Sequence, residues 1–171
     1  DTRPSPKKAS SGDIATGRGI GLSTRRGTYV GTVAEVEVNR KTGAVRVTRL
    51  ACAHDCGLII NPEALRTTIY ANLMQSISRG LKEEVTFDRS NVTSVDWVTY
   101  PIARAADVPD HVEVILIDHP ELPSSGAGEP SSRATAAAIA NAVFDATGAR
   151  VRQAPLTPER VKAALDALRS A

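Results

Sequence analysis

The chain has 171 residues, with 21 Lys and Arg against 19 Asp and Glu, so its formal net charge is only +2. This length fits one domain, and the 42% of hydrophobic residues excludes a chain that is disordered throughout. The longest apolar runs, such as residues 114–117, are far shorter than the roughly 20 residues that a membrane-spanning helix needs. No signal-peptide core follows Asp1, and we therefore expect a piece of a longer gene product or a processed chain.

The basic excess lies at the N-terminus, where residues 1–26 carry six basic and two acidic groups. These residues are rich in Ser, Gly and Pro, and we expect an extended, partly flexible arm ahead of a single domain at 27–171. Because the arm has no aromatic residues, it does not favour nucleic acid as a partner. Alternate glycines at 17–21 do not match a dinucleotide-binding loop, whose third glycine would fall at Leu22. We interpret them as flexible backbone that lies close to another part of the molecule.

The next elements have clear local signals. Residues 29–55 alternate apolar and polar side chains around a turn at 39–43, which predicts an antiparallel hairpin. Asn61 and Pro62 suit the N-cap and the first position of a helix. Apolar residues then recur every four positions, which predicts that this helix continues to about Gly80.

The second half of the chain predicts three further strands, at 81–87, 92–97 and 112–117, the first two forming a second hairpin. A loop at 119–130 precedes two helices, at 131–147 and from Pro158 onward. The whole order is β-β-α-β-β-β-α-α. It predicts an α+β fold, a two-layer α/β sandwich with a largely antiparallel sheet and an N-terminal extended arm.

Cys52, His54 and Cys56 alternate along a predicted strand, so they should share one face. A tetrahedral metal site uses ligands of these types but needs a fourth one, which the neighbouring sequence does not supply. We therefore favour two buried thiols and a polar histidine near a strand end. Free thiols suit a reducing compartment or simple burial, so the compartment stays open between cytoplasm and periplasm, with the cytoplasm slightly favoured.

The most informative segment is the loop at 124–130, with the sequence Ser-Ser-Gly-Ala-Gly-Glu-Pro. Small residues let the backbone approach a ligand closely, and the following helix N-terminus favours an anionic group. The carboxylate of Glu129 could serve there as a general base. It could equally be an ordinary first-turn glutamate that the helix dipole stabilises, and the local pattern leaves both interpretations open.

Further motifs stand in order around this loop: Val36–Val38 with Thr42–Gly43, Asp55–Gly57, Ile60–Pro62, Tyr100–Pro101, Asp107–Pro109, Gly126–Pro130, Ala138–Ala142, Asp145–Gly148 and Pro155–Pro158. Together they resemble the C-terminal end of the molybdopterin-binding large subunits of molybdenum hydroxylases, the xanthine oxidase/aldehyde oxidase family. Within that family the resemblance is greatest to the isoquinoline 1-oxidoreductase and aldehyde dehydrogenase branch. It extends over residues 17–165.

The resemblance implies a molybdenum-dependent oxidoreductase that oxidises an aldehyde or an N-heteroaromatic substrate with oxygen derived from water. Molybdenum would be held by a pterin cofactor, in the molybdopterin cytosine dinucleotide form common in bacteria, with no metal ligand from the protein. Glu129 would be the general base that takes a proton from a molybdenum-bound hydroxyl, and burial together with the charges of the site would tune its pKa. The implied cofactor-binding residues are Ser125, Gly126, Ala127, Gly128, Gln75 and Thr68.

The implied partners are the upstream half of the molybdopterin subunit and a small subunit with [2Fe–2S] clusters, so the chain alone should not turn over substrate. One departure favours a different interpretation, because Thr67–Thr68 and Tyr70–Asn72 replace a Gln and glycines of the family pattern. The alternative is a diverged, non-catalytic interaction module that keeps the fold but not the cofactor. The intact loop with Glu129 favours the enzyme.

Overall fold

The structure is a computed structural model that describes residues 12–170. One sheet contains four strands in the spatial order of the chain: β1 (Ile14–Arg25), β2 (Thr28–Asn39), β3 (Val45–Asp55) and β4 (His111–Ile117). Three α-helices are present in the described part, α1 (Pro62–Leu81), α2 (Gly128–Thr147) and α3 (Pro158–Arg169), together with one short 3₁₀-helix at Ala105–Asp107. β1, β2 and β3 pair antiparallel, whereas β4 pairs parallel to β3 after the crossover through α1. The α+β class with a largely antiparallel sheet is confirmed.

The core lies between one face of the sheet and helices α1 and α2. β2 alternates as its sequence predicts, and its inward side chains at Val30, Ala34, Val36 and Val38 are buried. The opposite face of the sheet carries ion pairs, such as the one between Arg18 and Glu35 at 2.6 Å. A two-layer domain with one solvated sheet face results.

An irregularity in β3 decides which of its side chains point inward. The pairing between β2 and β3 shifts between Glu35 and Val36, so Thr48 has no partner in the register. Val47 is buried before the shift, and Leu50, Cys52 and His54 are buried after it. An extra residue of this kind exchanges the two faces of a strand, and here it places His54 under the start of α2.

The predicted arm at 1–26 is wrong for residues 14–25, which form the paired strand β1, and the predicted boundary after residue 26 falls inside the β1–β2 hairpin. Residues 1–11 lie outside the described residues. The alternate glycines of β1 face the backbone of α2, as the proposed close approach requires. A Cβ built at Gly19 would lie 2.2 Å from the carbonyl oxygen of Ala138, so only glycine lets the helix approach this closely.

The second predicted hairpin, at 81–87 and 92–97, is also wrong. Leu81 ends α1, and the remaining segment contains only one isolated bridge, between Phe87 and Val92. Apolar side chains of this segment lack a core to cover them in the described chain, and a two-stranded ribbon is marginal without one. None of the helices in residues 12–170 combines the length and the apolar character needed to cross a membrane.

Candidate functional site

The site is built around the start of α2, which begins at Gly128, three residues earlier than the sequence pattern predicts. Glu129 therefore lies in the first turn of the helix. The N-cap residue is Ala127, which offers no side-chain hydrogen bond, whereas Asn61 caps α1 and Thr157 caps α3. The first N–H groups of α2 lie at the positive end of the helix dipole, and no capping side chain accepts a hydrogen bond from them.

The loop that leads into α2 is bonded to the sheet and to the end of β3 at three consecutive residues. The N–H of Ser125 donates to the carbonyl of Cys56 at 2.8 Å. The hydroxyl of Thr28 donates to the carbonyl of Gly126 at 2.7 Å. His54 Nε2 donates to the carbonyl of Ala127 at 2.9 Å. These bonds fix the path of the loop before the helix starts.

His54 and the two cysteines form a buried group beneath the loop, as the shared face predicts. His54 is completely buried, and burial lowers its pKa. Burial also raises the pKa of Cys52 to about 11 and raises the pKa of Cys56, so both thiols stay protonated. Within residues 12–170, no cluster of three His, Cys, Asp or Glu side chains could hold a metal ion. The interpretation as buried thiols beside a histidine is confirmed.

Glu129 is exposed and is held by two guanidinium groups. Arg25, at the end of β1, lies 2.6 Å from its carboxylate, and Arg133 bonds the same oxygen from one turn further along α2. The hydrogen bond from Arg133 is the main cause that lowers the pKa of Glu129, and Arg25 adds to it. Its side chain is 56% exposed, so the burial expected to tune this pKa is absent in the described residues.

A pocket of about 280 Å³ opens beside Glu129, lined by Arg25, Arg26 and residues 126–130. A Cβ at Gly126 would enter open space, and one at Gly128 would make only ordinary contacts. Neither glycine has a positive φ, so the packing of the chain itself does not require glycine here. The pocket thus combines two arginines, backbone without large side chains and a helix start without a capping side chain. These features fit an anionic group that lies close to the loop.

The structure brings most of the predicted cofactor-binding residues together. Ser125, Gly126, Ala127 and Gly128 form the loop, and Thr68 of α1 faces it, since a Cβ at Gly128 would lie 3.5 Å from its Cγ2. Gln75 is not among them. It accepts a hydrogen bond from Arg79 and lines a separate pocket of about 360 Å³.

Three residues of the site have no signal in the local sequence. Arg25, Thr28 and His54 reach the loop or Glu129 across 104, 98 and 73 positions of the chain. The sequence pattern assigns Arg25 to the arm and His54 to a strand end. Only the register of β1, β2 and β3 brings the three side chains to the same end of the sheet.

Comparisons with known proteins identify the fold and the family. Residues 9–109 match the molybdopterin cofactor-binding domain family. A nicotinate dehydrogenase subunit of Pseudomonas putida is 43% identical over 172 residues, which cover 96% of this chain and 14% of that protein. The aldehyde oxidoreductase molybdenum-binding subunit PaoC of Escherichia coli is 34% identical, with 80% of this chain and 20% of that protein covered.

A solved structure agrees with these relatives. Quinoline 2-oxidoreductase from Pseudomonas putida 86 superposes on 81% of this chain and 19% of its own, with a TM-score of 0.75 and 31% identity. The chain therefore spans between 14% and 20% of the length of these relatives. The resemblance to molybdopterin-binding subunits inferred from the motifs is confirmed, and the chain belongs to the molybdopterin cofactor-binding domain family.

Proposed function

We propose that this chain is the cofactor-binding and catalytic-base portion of a molybdenum hydroxylase that oxidises an aldehyde or an N-heteroaromatic substrate. Family membership supports the cofactor, and the names of the relatives support the substrate class, since they include nicotinate, quinoline and aldehyde oxidoreductases. The single observation that carries the catalytic role is the position of Glu129. Its carboxylate stands in the first turn of α2, beside a pocket whose other wall is the glycine loop.

The residues around this pocket fit the cofactor. The backbone of residues 125–128 and the side chain of Thr68 would hold it, because the glycines leave the loop open to close approach. Arg25 and Arg26 would complement the phosphates of a molybdopterin cytosine dinucleotide. When bound, this group supplies the two-electron oxidation. Gln75 lies in a separate pocket and is not part of this proposal.

The chemistry assigned to the chain itself is proton transfer. The lowered pKa of Glu129 keeps its carboxylate ionised near neutral pH, which is the form that can accept a proton. The same two arginines weaken it as a base, so an anionic group that drew Arg25 away would raise its basicity. The upstream half of the molybdopterin chain and a [2Fe–2S] protein would complete the enzyme and carry the electrons away.

The test replaces Glu129→Gln in the complete enzyme, with Glu159→Gln as the matched control. Glu159 is also a first-turn glutamate, in α3, with a lowered pKa. We expect turnover of the Glu129→Gln enzyme to fall about 10³-fold at unchanged molybdenum content, because the amide cannot accept a proton. The Glu159→Gln enzyme should match the wild type. A Glu129→Gln enzyme with wild-type turnover would show that the base is elsewhere.

One observation fits the non-catalytic alternative, an interaction module, as well as it fits the enzyme. The segment between α1 and β4 exposes large apolar side chains in the described chain, with Phe87 76%, Trp97 74% and Val98 86% exposed. Exposed apolar side chains of this size often meet another protein surface. An enzyme also needs such an interface with its remaining parts. Molybdenum content separates the two functions, since only the enzyme retains the cofactor.

A further inference from the structure

The start of α2 is held by residues distant in sequence rather than by a cap of its own. Ala127 provides no side-chain cap, and Pro130 has no N–H to offer to the carbonyl of Gly126 four residues earlier. Thr28 supplies the donor to the Gly126 carbonyl, and His54 supplies one to the Ala127 carbonyl. Two side chains of the sheet therefore hold the carbonyls of the two residues that precede the helix.

The hydrogen bonding of His54 fixes its protonation state. A carbonyl can only accept, so Nε2 must carry the proton that it donates to Ala127. Nδ1 is buried and has no hydrogen-bond partner. A proton there would be a buried donor without an acceptor, which is costly. His54 is thus the neutral tautomer protonated at Nε2, and burial, which lowers its pKa, maintains that state.

We propose that His54 is a positioning residue for Glu129: its Nε2–H fixes the carbonyl of Ala127 and thereby the orientation of the first turn of α2. Its catalytic consequence rests on the proposed function. Glu129 follows the tethered carbonyl by two residues, so a displaced loop displaces its carboxylate as well. A shift of about 1 Å in a reacting group can reduce a rate by as much as about 10².

A purely structural role would make different demands on this position. The neighbouring inward residues of β3, Leu50 and Cys52, are also fully buried, and packing alone accounts for them. For packing, a leucine at position 54 would serve as well as an imidazole and would leave no unpaired nitrogen. Histidine at this position retains one unpartnered buried atom while its other nitrogen holds the loop. The specific contribution of His54 is therefore its hydrogen-bond donor rather than its volume.

The experiment compares His54→Leu with His54→Gln in the complete enzyme. Leucine keeps the bulk and removes the donor, whereas glutamine keeps an N–H donor of similar reach. Cys52→Ala, two residues earlier on the same buried face, controls for general damage to β3. The readouts are kcat, KM, molybdenum content and amide hydrogen exchange of residues 124–133.

We expect His54→Leu to lower kcat about tenfold or more and to speed exchange at residues 124–133, with KM changed less than about twofold. His54→Gln should restore most of the kcat and most of the slow exchange at residues 124–133. Cys52→Ala should change neither kcat nor this exchange. Wild-type kcat and exchange in His54→Leu would overturn the proposal. So would a His54→Gln enzyme no better than His54→Leu.

Two further measurements keep the proposal testable. If His54→Leu does not fold, His54→Met replaces it, since methionine also fills the site and has no N–H donor. Faster exchange at 124–133 in His54→Met than in His54→Gln would support the proposal, and equal exchange in the two variants would contradict it. Amide exchange at residues 124–133 does not depend on the chemistry of Glu129. A Glu129→Gln enzyme with full activity would therefore contradict the proposed catalytic base and would leave the exchange result for His54 unchanged.

Discussion

Two glycine-rich regions lie against the same helix and have different reasons for their glycines. In β1, Gly17, Gly19 and Gly21 face the backbone of α2, and a Cβ at any of them would lie within 2.3 Å of a helix carbonyl oxygen. In the loop, a Cβ at Gly126 would meet nothing within 4 Å. The first set is explained by packing inside the chain, and the second is not.

The proposed cofactor would account for the glycines of the loop. Glycine costs conformational entropy, and some glycines of this chain have neither a positive φ nor a tight contact to explain them. Gly126 is in this situation, and it lines the pocket beside Glu129. Substitutions at these glycines, and at the side chains around the loop, test the distinction.

The largest effect is expected from Gly19→Ala in β1. The new Cβ would lie 2.2 Å from the Ala138 carbonyl oxygen, so α2 must move away from the strand. We expect the free energy of unfolding to fall by about 3 kcal/mol, measured by urea denaturation. Gly31→Ala in β2 is the control, since its nearest atom is 3.6 Å away. Equal losses in the two variants would contradict the packing explanation.

Gly126→Ala should reverse this pattern. Because its Cβ enters open space, we expect the free energy of unfolding to stay within about 0.5 kcal/mol of the wild type. In the complete enzyme the same methyl group should displace the cofactor, and most of the molybdenum should be lost. Elemental mass spectrometry of the purified variant measures this. Full molybdenum content would mean that the cofactor does not approach this part of the loop.

A smaller effect concerns the pH dependence of stability through His54. Burial holds its folded pKa below the ordinary value of about 6.5, so the unfolded chain binds a proton more readily. As the pH falls from about 7.5 through the ordinary histidine pKa of about 6.5, protonation of the unfolded state should lower the free energy of unfolding. His54→Gln should remove that part of the slope in urea titrations at about pH 7.5 and about pH 5.5. An unchanged slope would show that His54 is not the group responsible.

The smallest effect is a shift in the titration of Glu129. Arg133→Gln should raise its pKa, and Arg25→Gln should raise it less, because the hydrogen bond from Arg133 is the main cause of the lowered value. The carboxyl carbon signal of Glu129 in a pH titration by NMR reports both shifts. The reverse order would show that Arg25 is the stronger partner.

Local signals were sufficient for much of this fold. The caps at Asn61 and Thr157 and the alternation in β2 predicted two helices and the central hairpin, because each depends on neighbours in sequence. β1 was missed because glycine carries no hydrophobic signal, although its period of two was visible. The parallel pairing of β4 with β3 joins residues about 60 positions apart, and no local pattern encodes it.

The candidate site also contains residues that local sequence signals predict and residues that they do not. The loop and Glu129 followed from a contiguous motif and from the resemblance that it supports. The three side chains that hold them, Arg25, Thr28 and His54, could not be found because their contacts depend on strand register and on the shift in β3. Only the family resemblance implies Gln75 at the site, and this residue lies in another pocket.

The central claim is that this fold holds a molybdenum cofactor at the loop before α2. The most direct measurement is the molybdenum content of the protein purified from its producing cells with the chains that accompany it. We expect about one molybdenum per copy of this domain, because one pocket of the described chain combines the glycine loop with Glu129. An intact assembly with no molybdenum would contradict it.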